Sequence, residues 1–458
     1  MIQKELITET YPNRAEVNSV LSFLHDAAEA RLDKVKYRRL GTAPPRGQRY
    51  TQQGESDKYL LRFQYETSSH YEERIRLCNC YGYTKIVADS YRFLFESAEK
   101  HLMISGITDE QRKILFTNID GNGNGIDSFA GRMFYNLLID GQTSICSDMS
   151  ADGQPYLYPI PRENIRNFSN DDNGLAFLIH GSFKDKVEGI KTEKVECIYV
   201  FTRDEMAEYE YSDKGWTEVQ YIENPFGQIP VSQCSLSDKT PLMQPLASID
   251  LNMMNLDSEA RSIIRNQAGL SFMVIPEEVD MDMLTDTTVI SMPRGSDVVE
   301  PKWVAYPSHG LNAHFDYIRF LQGTLHEISR LRRQKSQAES GVSKSLDFTQ
   351  TRAVLNAGAD SVEKCLERAI KYYFAYLGQT VEVEYKIDRN FEVNQIDDEI
   401  GILIKLMSLD LGNTATAAAK KQFRDKFIKL DPDMARQSDD ELMDSDDAFE
   451  VNAGINND

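Results

Sequence analysis

The chain has 458 residues, 41% of them hydrophobic and 10% aromatic, which sustains large cores across about two to four domains and excludes a disordered chain. No apolar run approaches the roughly 20 residues of a membrane span, and Met1–Thr8 has no signal-peptide character, so the sequence predicts a soluble protein that stays in the cytoplasm where it is made. The net charge of -21 argues against a protein that grips nucleic acid by neutralising phosphate; an acidic wall would instead let a polyanion slide past, or simply keep the protein soluble.

Val17–Tyr37 reads as a helix, followed by a loop over 41–54 with Pro44, Pro45 and Gly47. Tyr71–Lys100 reads as one long amphipathic helix or two joined near Tyr81–Tyr83, and Ile107–Phe116 continues helical. The run Asp120-Gly-Asn-Gly-Asn-Gly125 breaks the pattern before a helix over Ser128–Ile139. Past Pro155 the period changes to two. Tyr156–Ile160, Ala176–His180, Val195–Phe201, Glu208–Tyr211, Val219–Tyr221 and Ile229–Cys234 are expected strands, with a turn at Asn224-Pro-Phe-Gly227.

Two long amphipathic helices come next. In the first, Leu246, Ile249, Met253, Leu256, Ala260 and Ile263 recur at steps of three and four; in the second, Leu311, Phe315, Ile318, Leu321, Leu325, Ile328 and Leu331 do the same. A helix over Leu242–Ala268 spans roughly 40 Å, the length of a strut. Between them, Phe272–Ile275, Thr287–Met292 and Val298–Val304 read as short strands. The polar stretch Gln334–Ser345 precedes a helix over Leu346–Leu377 that Gly378 stops. Val381–Ile387 alternates like an edge strand, two helices are expected over Asp397–Asp410 and Thr414–Leu430, and the tail from Asp431 is acidic. The whole is an α+β chain without internal repeats.

The search for chemistry finds little. Asp120, Asn122 and Asn124 match the first half of a calcium loop, but the twelfth position is Gly131 where a bidentate Glu is required, so a turn of residues tolerant of positive φ is expected. Cys78 and Cys80 have no second pair at zinc spacing, and the six cysteines suit reduced buried thiols better than a disulfide frame. His326-Glu327 lacks the second histidine of a zincin helix, its place being Arg330, and is expected to face solvent or a subunit contact. Asp120, Asp127, Asp140 and Asp148 would form a two-metal site only if the fold brought them together. No phosphate loop and no nucleophile elbow occurs, so neither an enzymatic activity nor a cofactor is expected. The basic group Arg330, Arg332, Arg333, Lys335 and Lys344, set among Ser, Gln and Gly, is read either as transient phosphate contacts or as a helix end whose cations complement the dipole.

Five segments in order give the chain a family likeness: Asn118-Ile-Asp-Gly-Asn-Gly with Phe129–Gly141; Pro155-Tyr-Leu-Tyr-Pro-Ile-Pro-Arg-Glu-Asn-Ile165-Arg-Asn-Phe; Asn224-Pro-Phe-Gly-Gln-Ile-Pro230; Pro241-Leu with the helix over Asp250–Arg265; and Ser340-Gly-Val-Ser-Lys-Ser-Leu-Asp347. The chain resembles the portal proteins of tailed bacteriophages. The resemblance implies a dodecameric ring with a central channel, each subunit divided into a wing over 1–240, stem helices over 241–268 and 311–331, a clip over 269–310, a tunnel loop over 332–345, a long wing helix over 346–378 and a crown over 379–430; the acidic tail over 431–458 is expected from its composition to be disordered.

It further implies a non-enzymatic conduit at one capsid vertex of the virion, assembled in the host cytoplasm, through which double-stranded DNA is packaged, retained and ejected. The partners implied are the terminase large subunit, head-completion or adaptor and tail proteins, and the major capsid and scaffolding proteins, with no membrane. Arg330, Arg332, Arg333, Lys335 and Lys344 would face the DNA, and Leu246, Met253, Leu256, Ile263, Phe315, Ile318 and Leu325 would join neighbouring subunits. A head-tail adaptor or minor head protein is the alternative from the same setting. A metal-dependent hydrolase or nuclease built on the N-terminal carboxylates is the alternative from another class.

Overall fold

The fold is α+β, in a computed structural model that describes residues 6–33, 59–62, 67–150, 152–172, 174–188, 191–213, 215–269, 271–275, 287–291, 302–304, 309–329, 341–389 and 391. The chain divides into two compact units, Met1–Phe391 and Glu392–Asp458, and all the described residues belong to the first. The two helices expected after Asp397 and the acidic tail lie outside the described residues.

The N-terminal half is helical where the sequence supplies starts. Helix α1 (Arg14–Ala28) is followed by α2 (Ser68–Leu77), whose first turn is capped by the Thr67 side chain accepting from His70 N–H. The expected long helix over 71–100 divides in two, because Gly82 adopts φ 65° and the next helix, α3 (Tyr83–Ser97), starts anew after it. A Cβ at Gly82 would also meet the Ala30 Cβ at 2.7 Å, so the break needs glycine on two counts. Strand β1 (Lys100–Ile104) leads to α4 (Asp109–Thr117), which opens on a reciprocal capping box between Thr108 and Gln111. Helix α5 (Ile126–Asp140) stops at Gly141, at φ 69°.

Three antiparallel strands follow: β2 (Gln142–Met149), β3 (Pro155–Ile160) and, later in the chain, β9 (Val231–Ser235), in the order β3-β2-β9. Strands β4 (Ile165–Asp171), β5 (Gly174–Glu188), β6 (Lys191–Thr202), β7 (Glu205–Ser212) and β8 (Gly215–Glu223) form an antiparallel meander in chain order. One face of the meander packs Leu178, Phe201 and Met206 against Cys146, Ile160 and Val231 of the smaller sheet; the other buries Ile179, Ile198, Val200 and Tyr209 with Ile7.

Helix α6 (Gln244–Gly269) and helix α7 (His309–Ser329) are the two struts, and between them lie β10 (Ser271–Ile275), β11 (Thr287–Ser291) and β12 (Lys302–Val304) in the order β11-β10-β12, with β10 parallel to β11 and antiparallel to β12. Helix α8 (Gly341–Tyr376) then crosses the core, and β13 (Val383–Ile387) pairs antiparallel with β1. The largest core joins α1, α3, α5, α6, α7 and α8 through residues such as Leu24, Tyr91, Phe134, Met253, Leu325 and Leu366. The Phe95 and Phe134 rings stack at 4.2 Å, and Gly358 lets α8 approach Phe134, whose ring would lie 2.3 Å from a Cβ there.

One sequence expectation is overturned in the core. Cys234 on β9 and Cys365 on α8 form a disulfide, where six reduced thiols were expected; Cys78, Cys80, Cys146 and Cys197 are free. The two partners are 131 residues apart, a pairing that only the docking of α8 on β9 creates.

Candidate functional site

The struts are antiparallel neighbours. Thr84 of α3 meets Asp250 and Tyr83 meets Gln322, while Glu259 meets His314, so positions descend along α6 as they ascend along α7. Asp250 acts as a remote cap. Gly82 has no side chain to offer the start of α3, and the Asp250 carboxylate accepts instead from Thr84 N–H at 3.1 Å and Thr84 Oγ1–H at 3.2 Å. Burial raises the Asp250 carboxyl against the lowering effect of those Thr84 donors. Tyr91 Oη–H donates to the Ser329 carbonyl at 2.9 Å and fixes the last turn of α7 to α3.

This packing redistributes the expected stem contacts. Leu246, Met253 and Leu325 are buried inside the chain's own core, where α1, α2 and α3 cover α6, so no surface of theirs is left for a neighbour. Leu256 and Ile318 are half-buried against the same core, Ile263 is half-buried, and Phe315 is exposed. Besides Phe315, the large apolar side chains exposed on α7 are Tyr317, Phe320 and Ile328, with Ala313 one turn before Tyr317. Phe320 is 64% exposed and its ring stacks on Tyr317 at 6.0 Å. Ala313, Tyr317 and Phe320 repeat the spacing of Leu311, Phe315 and Ile318 shifted by two residues, whereas Ile328 belongs to the first set.

Of the basic group, Arg330, Arg332, Arg333 and Lys335 lie outside the described residues. Lys344 stands on the first turn of α8, since that helix begins at Gly341 and takes in the end of the expected loop.

The carboxylates of the hydrolase alternative are not brought together. Asp120 organises its own turn: Oδ1 accepts from the Asn122 and Asn124 amides and Oδ2 from the Asn124 side chain at 2.7 Å, with Gly121 and Gly123 at positive φ. Burial raises this carboxyl and the Asn donors outweigh it, leaving it below its ordinary value. Asp127 accepts from Tyr385 Oη–H at 3.2 Å, Asp140 Oδ1 lies 2.9 Å from His25 Nε2, and Asp148 accepts from Tyr156 Oη–H at 3.4 Å. Each has a separate structural partner. His326 and Glu327 are exposed.

Among the described residues one group of three potential ligands gathers within 4.8 Å, Cys197, Glu208 and Glu210 across β6 and β7. The Lys184 ammonium bonds Glu208 there and already supplies the cation. His180, Tyr158, Tyr199 and Phe201 form a buried aromatic knot between the two sheets, with the His180 ring stacked on Tyr199 at 4.8 Å. Burial pushes the His180 imidazole down to about 4, so it is neutral at physiological pH. It has the character of packing, with its Nε2 3.5 Å from Tyr158 Oη.

The chain matches no protein-family model and no curated protein. It is similar to a chain in a structure titled "Virion of native gene transfer agent (GTA) particle", at 11% identity and a TM-score of 0.35, over 77% of this chain and 92% of that one. A second similarity is to a chain in "Neck of empty GTA particle computed with C6 symmetry", at 12% identity and a TM-score of 0.36, over 78% of this chain and 95% of that one. No helix among the described residues is long and apolar enough to cross a membrane.

Proposed function

We propose that this chain is a subunit of a portal ring, the head-to-tail conduit for double-stranded DNA in a phage-like particle. The observation that carries the reading is the unit of two antiparallel long helices, α6 and α7, bracketing a small three-stranded sheet, with an aromatic stripe of α7 left on the surface. A 26-residue helix spans about 39 Å, and an uncovered apolar face of α7 at helical spacing fits helix packing against a neighbour in a closed ring.

In this reading α6 and α7 are the stem, β10–β12 the clip that meets the terminase and later the adaptor and tail proteins, and the elements from α1 to β9 with α8 the wing. Subunits join through Tyr317, Phe320 and Ile328 together with the partly exposed members of the expected set, Ile263, Phe315 and Ile318. Arg330, Arg332, Arg333 and Lys335 are the DNA-facing group, with Lys344 at its rim. The protein acts by shape and charge, without a catalytic step or cofactor.

The test is the mass of the purified protein in solution with negative-stain imaging. Closed rings of about a dozen subunits around a central hole are expected. A monomer or dimer at every salt concentration would overturn the reading.

A further inference from the structure

The five-stranded sheet treats its two edges differently. At β4 the chain covers its own edge: Tyr11 N–H donates to the Arg166 carbonyl at 2.9 Å and Arg14 Nε to the Ile165 carbonyl at 3.0 Å. At β8 no group among the described residues bonds the outer edge, and Thr217–Glu223 is exposed along its whole length. Three of the exposed side chains are apolar and large: Val219 at 54%, Tyr221 at 48% and Ile222 at 43%. Proteins usually blunt a free edge with lysine, proline or brevity, because its unpaired N–H and C=O groups template another strand. Strand β8, nine residues long, has neither residue, and its ladder with β7 is interrupted by a bulge at Val219.

Charge selects the occupant. From Asp204 to Glu223, the β7–β8 hairpin and its flank carry seven carboxylates and one cation, Lys214, for a net charge of -6. Strand β8 itself contributes Glu218 and Glu223 and no cation, and opposite charges on facing strands contribute favourably while like charges oppose pairing, so the edge favours a basic strand. Its apolar residues, all on one face, would meet Tyr221, while Ile222 lies on the opposite face of the sheet. We propose that the outer edge of β8 accepts an extended segment of a partner protein in which Lys or Arg alternates with apolar residues, adding a sixth strand to the sheet by main-chain hydrogen bonds.

The chain itself contains a stretch of that composition, Lys34-Val-Lys-Tyr-Arg-Arg-Leu40, which supplies the probe. A fluorescently labelled peptide of this sequence is titrated into the full-length protein, with a control peptide carrying Glu at each cation, and hydrogen exchange is read with and without peptide. Saturable binding is expected, at least about tenfold weaker for the control peptide and for the Val219→Lys/Tyr221→Lys protein, with slowed exchange at the β8 amides of residues 215–223. Binding unchanged by the double substitution, protection confined to another element, or no saturable binding would each overturn the proposal. So would a dimer that the double substitution dissolves in a protein that ignores the peptide, since β8 would then pair with a second copy. The result is independent of ring formation.

Discussion

His180→Phe should make the protein less sensitive to acid. The imidazole is 2% exposed, stacked between the Tyr199 and Phe201 rings, and its Nε2 lies 3.5 Å from Tyr158 Oη. Folded, it stays neutral down to about 4, while the unfolded chain takes up a proton near 6.5. Stability from this group is therefore fully present above pH 6.5 and is lost as the pH falls through that window toward 4. The gap corresponds to roughly 3 kcal/mol, a large share of the stability of an ordinary domain. Phenylalanine keeps the ring stack and cannot be protonated. The assay is urea unfolding between about pH 7 and pH 4, followed by Trp216 on β8 in a background where Trp303 is Phe. The parent should lose roughly 3 kcal/mol more than His180→Phe over that range. Parallel stability curves for the two proteins would refute the reasoning, because every other titrating group is shared.

Asp250→Ala removes the remote cap of α3 and leaves the Thr84 donors buried without their acceptor, at about 1–3 kcal/mol, read from the urea midpoint. His25 is raised above its ordinary value by the contact with Asp140, so the stability it contributes is present below pH 6.5 and is lost as pH rises through the folded value; His25→Gln should flatten that alkaline-side decline in thermal melts from about pH 6 to 9. Alkylation in denaturant without reductant should label four of the six cysteines, and Cys234→Ser with Cys365→Ser should cost roughly 4–5 kcal/mol for a closed loop of this length. In the proposed ring, Phe320→Asp on the exposed surface of α7 should leave the circular dichroism unchanged and abolish rings in electron micrographs, since an unpaired charge at the proposed seam would cost several kcal/mol.

Period and punctuation made most elements readable. Strand β13, with one wet face, alternates buried and exposed residues from Val383 to Ile387, and both struts announce themselves by their spacing. Strand β2 escaped notice for the opposite reason: Gln142, Thr143, Ser144, Ile145, Cys146 and Ser147 are all buried, with α8 on one face and the five-stranded sheet on the other, and the polar ones lie among them without alternation. The helix start at Gly341 was hidden because glycine and serine also begin loops. The positions expected to join subunits mark the deeper limit. Helical spacing shows that Leu246, Met253 and Leu325 need cover, but whether the cover comes from the same chain or from a neighbour depends on where α1, α2 and α3 pack, which no local pattern encodes. The Cys234–Cys365 bond and the Asp250 cap are long-range in the same sense.

Helix α8 has a mechanical consequence. Its 36 residues make a rod of about 54 Å. Its middle and far end are fastened to three different strands: by the Cys234–Cys365 bond to β9, by Ser147 Oγ–H to the Ala369 carbonyl from β2, and by Glu363 and Glu367 accepting the Ile387 and Tyr385 amides of β13. Its near end begins at Gly341, next in sequence to the basic stretch. A pull or push on that stretch is thus delivered along a stiff axis into two sheets, β3-β2-β9 and β1-β13, and the covalent bond to β9 holds after the hydrogen bonds have given way.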